Sequence, residues 1–223
     1  MSTDDARWRD LRLRIISASV LAPAALLCVW LGGLWFAALI VLSWFTMGWE
    51  WHEMSGERRR LWPLGALYIL PGGFALLWLR ADPIFGLGNV MFVLGAVWAS
   101  DIGAYLLGRM LGGPKLAPAI SPGKTWSGAL GGLLAVLLVG WIAALVWGGT
   151  PTRAMLVAAG LGIAAQLGDL LESAIKRGFG VKDSGWIIPG HGGVLDRVDA
   201  IMTAAPVAAL IGLLVGRGGA VWH

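Results

Sequence analysis

Asp169, Glu172, Ser173 and Lys176 recur at i, i+3, i+4 and i+7, a spacing that places them along one stripe of a helix. Their setting, AAQLGDLLESAIKR, is otherwise apolar. An acid at membrane depth is costly unless it faces protein, water or a cation. Glu172 and Lys176 also read as an ordinary i, i+4 ion pair near a helix end, a reading that fits the deeper Asp169 poorly. Downstream, GHGGVLDRVDA sets Asp196, Asp199 and Thr203 on one face of a second helix. Two carboxylates one turn apart repel each other and resist desolvation, and a divalent cation between them relieves both costs. Oxygen donors without Cys or paired His point to Mg²⁺ or Mn²⁺ rather than zinc. The plainer alternative is a glycine turn followed by Asp196 as a helix cap with a salt bridge to Arg197.

Basic residues surround these acids. Lys176 and Arg177 close the first helix, Lys182 and Asp183 follow on the connecting loop, and His191 sits among Gly190, Gly192 and Gly193. Glycines there let backbone N–H groups approach an anion, and Lys and Arg grip phosphate as point charge and fork respectively. A third polar segment runs from Asp101 to SPGKT, where Ser121 and Lys124 precede a helix, a suitable place for phosphate. It is not a Walker loop: the glycine required upstream of the GK pair is missing and no strand is expected before it. Lys124 also reads as a cation that merely fixes topology. Carboxylates that can hold a cation, placed beside phosphate-binding cations, form the constellation of metal-assisted phosphoryl or nucleotidyl transfer.

The elements that must position these residues are membrane helices. The 223-residue chain is 57% hydrophobic and 13% charged, with mean hydropathy +0.74, which excludes an ordinary soluble domain. Helices are expected at 15–31, 34–51, 61–80, 84–108, 125–148, 154–177 and 195–216. The expected fold is therefore all-α, a polytopic transmembrane bundle of about seven spans, within a range of roughly six to nine. Residues 1–223 form a single integral-membrane catalytic domain, with the motif-bearing half at about 98–203. The lone Cys28 supports no disulfide framework. The arginines before the first apolar run resemble a signal peptide, but the run continues past LAPAA, so an uncleaved first helix is expected.

Charge sorting orients the bundle. With a cytoplasmic N-terminus, fourteen of the 17 Lys and Arg residues fall on that side: Arg7, Arg9, Arg12, Arg14, Arg58 to Arg60, Arg109, Lys115, Lys124, Lys176, Arg177, Lys182 and Arg197. Arg80, Arg153 and Arg217 remain opposite. The polar segments then face the cytoplasm from a multi-pass protein of the inner (cytoplasmic) membrane.

Ser173, IKR, KD and PGHGGVLDRVD, with SDIGAYLLGR and SPGKTWSG upstream, together resemble the signature of the phosphatidate cytidylyltransferases, or CDP-diacylglycerol synthases. These motifs cover about the C-terminal half of the chain, and the N-terminal helices resemble the family only in hydropathy. The resemblance implies an integral-membrane, Mg²⁺-dependent enzyme, often a homodimer, that makes CDP-diacylglycerol and pyrophosphate from CTP and phosphatidic acid; a second cation is compatible with it. It associates the metal with Asp169, Asp196 and Asp199, with Ser173 nearby. The chain is short for the family, as if an N-terminal helix were absent, and Ser127 stands where relatives often carry Glu.

The residue chemistry agrees with that expectation. Lys176 and Arg177 join the three aspartates as catalytic candidates. Ser121, Lys124, Ser173, Lys182, Asp183, His191 and Arg197 are candidates for substrate contacts. Membrane lipids surround the enzyme, and no nucleic-acid partner is expected. A lipid or isoprenoid kinase or cytidylyltransferase acting on another lipid is the nearest alternative. A cation-coupled transporter using Asp101 and Asp169 as ion sites is the alternative of a different class, and the lack of an internal repeat weighs against it. A CDP-alcohol phosphotransferase would need an ordered Asp, Gly and Arg series that DRVDAIMTAAP lacks.

Overall fold

Seven long helices and one short hairpin make up the computed structural model, which describes residues 3–56, 58–216 and 219–223. Arg217, assigned above to the side opposite the polar segments, lies outside the described residues, as do the side chains of Arg7 and Arg9. The helices are α1 (Thr3–Leu31), α2 (Gly33–Ser55), α3 (Trp62–Arg80), α4 (Gly86–Leu111), α5 (Trp126–Trp147), α6 (Pro151–Phe179) and α7 (Leu195–Val215). Each contains a stretch long and apolar enough to cross a membrane. Helices suit that solvent because each satisfies its own backbone groups without water. The expected all-α transmembrane bundle of seven spans is what the chain forms.

The sequence explains where the helices stop. Thr125 caps α5 by accepting the Gly128 N–H at 3.1 Å. Pro151 opens α6, where its missing N–H is no loss. Gly180, with φ of 77°, ends that helix in the left-handed region; its N–H goes to Arg177 O and that of Val181 to Lys176 O.

Close approach sets the packing of α4 through α7. Asp169 and Asp199 belong to α6 and α7, which meet where Gly168 faces Thr203; a Cβ at Gly168 would collide with the threonine side chain. Thr203 Oγ1 donates to Ala164 O at 2.8 Å across the same seam. Between α4, α5 and α6, Gln166 Nε2 donates to Ser100 Oγ at 3.3 Å and to Ala129 O at 3.2 Å, a polar tie inside an apolar bundle. By contrast α1 is almost entirely exposed along its apolar stretch.

One element departs from the expected all-α fold. Residues 115–125 form an antiparallel hairpin, β1 (Lys115–Ala117) and β2 (Ser121–Thr125), so SPGKT is itself a strand and a strand does precede it. Ser127 fastens its base, donating to the Gly112 carbonyl and lying 3.0 Å from Thr125 Oγ1. That gives the serine at the departure from the family pattern a structural task.

Candidate active site at one end of the bundle

The hairpin and α6 converge through charge. Lys124 of β2 forms an ion pair with Asp169 of α6, both partly exposed. Ser173, one turn along α6, lies 3.5 Å from Asp169 Oδ1. SPGKT and QLGD, separate in sequence, are thus parts of one site. Beside the pair lies a cavity of about 560 Å³ whose wall is mostly apolar but carries Asp101, Tyr105, Arg109, Lys124, Gln166 and Asp169. Arg109 is oriented by donating to the Tyr105 hydroxyl at 2.6 Å.

Farther along the α6 stripe, Lys176 Nζ sits between Glu172 Oε2 at 2.7 Å and Asp196 Oδ1 at 2.6 Å. Glu172 is buried at 1% exposure, and its second oxygen has no hydrogen-bond partner among the described residues. The i, i+4 pair therefore exists, but it is interior and tied to α7, unlike an ordinary surface pair. Asp196 also accepts the N–H groups of Ser184 at 3.0 Å and of Gly193 at 3.0 Å, folding the 180–193 loop onto the start of α7. The cap reading of Asp196 is not what forms: Asp196 lies within the first turn of α7, ties the preceding loop to it, and pairs with Lys176 rather than Arg197. Among the described residues Asp199 accepts only the adjacent Ala200 N–H, at 2.8 Å, and it lies within electrostatic range of Asp169, Asp101 and Lys176.

The remaining sequence candidates divide. His191 Nδ1 lies 2.8 Å from Ser17 Oγ of α1, and Arg197 Nε donates to the His191 carbonyl at 3.0 Å. Arg177 is turned to the backbone, donating to Ile120 O at 3.4 Å and to Val181 O at 3.1 Å. Ser121 begins β2 half-buried, whereas Lys182 and Asp183 are exposed on the loop.

Sequence reasoning passed over Glu50 of α2. Its carboxylate is buried at 1% exposure and accepts the N–H groups of Val194 at 2.7 Å and Leu195 at 2.8 Å, with Ser184 Oγ at 3.3 Å. The signal existed: an acid inside FTMGWEW is as costly as Asp169 in its own helix. Tyr68 of α3 was also passed over. Its hydroxyl is buried without a hydrogen-bond partner among the described residues, in electrostatic range of Asp199, Glu172 and Asp169.

The oxygen donors here are of the type a divalent cation takes, although the arrangement does not close around an ion among the described residues. Asp101, Asp169 and Asp199 gather three carboxylates at one end of the bundle, with Lys124 the ammonium paired to Asp169. Lys176 stands as a cation between two further acids. Among the described residues no three His, Cys, Asp or Glu side chains converge tightly enough to hold a metal in this arrangement. The donors are hard oxygens with excess negative charge, the kind Mg²⁺ takes through one or two carboxylates while keeping water and phosphate oxygens.

Comparison with known proteins follows the same residues. The model of the Cytidylyltransferase family matches residues 12–81 and 62–215, two segments that overlap across α3. A phosphatidate cytidylyltransferase of Brucella suis is 38% identical over 92% of this chain and 94% of its own. One from Rickettsia bellii is 38% identical over 93% of each chain. One from Haemophilus influenzae is 45% identical over 56% of this chain and 46% of its own. With its site residues spread along the matched segments and relatives aligned along nearly its whole length, this chain belongs to the cytidylyltransferase family.

Proposed function

We propose that the protein transfers the cytidylyl group of CTP to phosphatidic acid, giving CDP-diacylglycerol and pyrophosphate at the cytoplasmic face of the inner membrane. The observation that carries the reading is the Lys124–Asp169 ion pair, which makes one polar site of the hairpin and the α6 stripe. The names of the similar Brucella and Rickettsia proteins support the choice of substrates.

In this reading a phosphate oxygen of phosphatidic acid, already ionised, attacks the α-phosphorus of CTP. The new P–O bond forms as the bond to the β-phosphate oxygen breaks, and pyrophosphate leaves with that electron pair. No strong general base is required. The protein's work is alignment and charge neutralisation. The cavity beside Lys124 and Arg109 takes the nucleotide phosphates at its charged side chains. Lys176, Arg177, Lys182 and Arg197 supply positive charge around the other side of the α6–α7 seam, with Ser121, Ser173, Asp183 and His191 as further polar contacts. Asp169 and Asp199, with Asp196 in the first turn of α7, are the carboxylates that would hold Mg²⁺. When bound, the ion offsets phosphate charge and stabilises the leaving group. The protein acts as a homodimer among membrane lipids.

Purified protein given labelled CTP and phosphatidic acid should form CDP-diacylglycerol and pyrophosphate in equal amounts. A product phosphorylated from CTP, with CDP released, would favour a lipid kinase and overturn the reading. Absence of any nucleotide turnover would favour a transporter.

A further inference from the structure

The first helix is attached at two places and stands off between them. Near one end, Ser17 Oγ donates to Pro189 O at 3.1 Å and contacts His191. Near the other, Arg80 of α3 donates from Nε to Val29 O at 2.8 Å and from Nη2 to Trp30 O at 2.9 Å. Between these ties a cavity of about 360 Å³ opens, walled by α1, α2, α3, α4 and α7. On α1 it is faced by small and large residues alike, among them Ala22, Ala25 and Leu26, and opposite by Phe36, Ile40 and Met47 of α2. Helices in a bundle ordinarily close such a space by packing. Here the space stays open, at the lower end of the volume range of ligand pockets, ~300–1,000 Å³.

Its chemistry is two-ended. The walls are apolar, but the end at the glycine turn carries Ser17, His191 and Arg197. Arg197 uses Nε and Nη2 on the His191 carbonyl, which leaves Nη1 without a hydrogen bond among the described residues. Arg197 follows Asp196 on the first turn of α7, so an anion at this guanidinium stands beside the turn that carries the acids. A water-soluble nucleotide has no use for the apolar walls, and a neutral lipid none for the guanidinium. The occupant that matches both is an acyl chain joined to a phosphate.

Resting on the reading proposed above, we infer that this cavity behind α1 receives an acyl chain of the lipid substrate, with the lipid phosphate at Arg197 and His191. The cavity then selects for chain length, and the exposed α1 is the wall that lipid passes.

The test uses full-length protein in nanodiscs and phosphatidic acid carrying a diazirine midway along one acyl chain. Photolabel should concentrate on the α1 and α2 positions that face the cavity. Ala22→Phe and Ala25→Phe should cut that labelling. They should raise KM for long-chain phosphatidic acid about tenfold, the cost of excluding two or so methylenes. Their KM for CTP and their kcat on a dihexanoyl substrate should stay within about twofold of wild type. Leu27→Trp, on the lipid-facing side of α1, should behave as wild type. Label on Val20 and Leu27 instead, or filled variants labelled as strongly as wild type, would overturn the inference. If the filled variants fail to fold, the wild-type labelling map decides alone. Cavity labelling in a protein that makes no CDP-diacylglycerol would sink the functional reading and keep the lipid site; an active enzyme labelled outside would do the reverse.

Discussion

The Glu50 carboxylate on α2 accepts the Leu195 N–H at 2.8 Å, so the start of α7 is closed by a side chain 145 residues upstream. Negative charge at a helix N-terminus is favourable, and here it also satisfies the Val194 N–H. Glu50→Ala leaves these buried donors unpaired, at about 1–3 kcal/mol each. It should lower the thermal midpoint of purified protein and reduce activity with it, while Glu50→Asp recovers part of both. A Glu50→Ala midpoint equal to wild type would remove this capping role.

The acids of α6 and α7 separate by what else they hold. Asp169→Asn and Asp199→Asn should each lower kcat about 10³-fold or more, the scale of losing an essential electrostatic group. Their thermal midpoints should stay near that of wild type. Asp196→Asn should lose rate and stability together, because its carboxylate also anchors Ser184, Gly193 and Lys176. Paired kinetic and melting measurements check this. Full turnover in folded Asp199→Asn protein would end the metal proposal.

Divalent-ion dependence follows from the same carboxylates. Excess EDTA should abolish CDP-diacylglycerol formation, and Mg²⁺ or Mn²⁺ should restore it while Zn²⁺ does so poorly. Undiminished product in EDTA contradicts a metal role for Asp169 and Asp199.

Lys182 is exposed on the loop with no partner among the described residues. Lys182→Ala should therefore raise KM more than it lowers kcat, as expected for a group that gathers substrate without holding the transition state. Steady-state kinetics in CTP and in phosphatidic acid read this split directly.

Orientation is testable at two exposed positions. Trp186 lies on the 180–193 loop and Ile84 in the turn before α4; both are largely exposed. Ser184, on the same loop as Trp186, is buried and unsuitable for labelling. In a Cys28→Ser background, Trp186→Cys in intact cells should react only with membrane-permeant thiol reagents. Ile84→Cys should react with impermeant ones. The opposite pattern would invert the topology.

Most of the fold was legible because the membrane simplifies the code. Apolar runs the length of a span leave few alternatives to a helix, and all seven expected segments overlap α1 through α7. The site was legible wherever polar residues broke those runs at helical spacing, as at Asp169, Ser173 and Lys176. What escaped depends on distance in the chain. Glu50 looked like an isolated acid until α7 supplied its partners, and the pairing of β1 with β2 has no periodic signal in so short a segment. Lys124 meeting Asp169, and α1 standing off from its neighbours, are tertiary facts with no local pattern.

The contact of Gly168 with Thr203 has a consequence for how this protein can change. The residue beside it is Asp169, and Thr203 lies one turn from Asp199 on α7, so the gap between two carboxylates is gauged by the absence of a single methyl group. Alanine at 168 would be at home in a membrane helix and cost nothing in insertion. It would nonetheless wedge apart the two acids. A saturation library at this position, sorted first for abundance and then for growth dependent on the enzyme, should pass several small residues through the first sieve and glycine alone through the second.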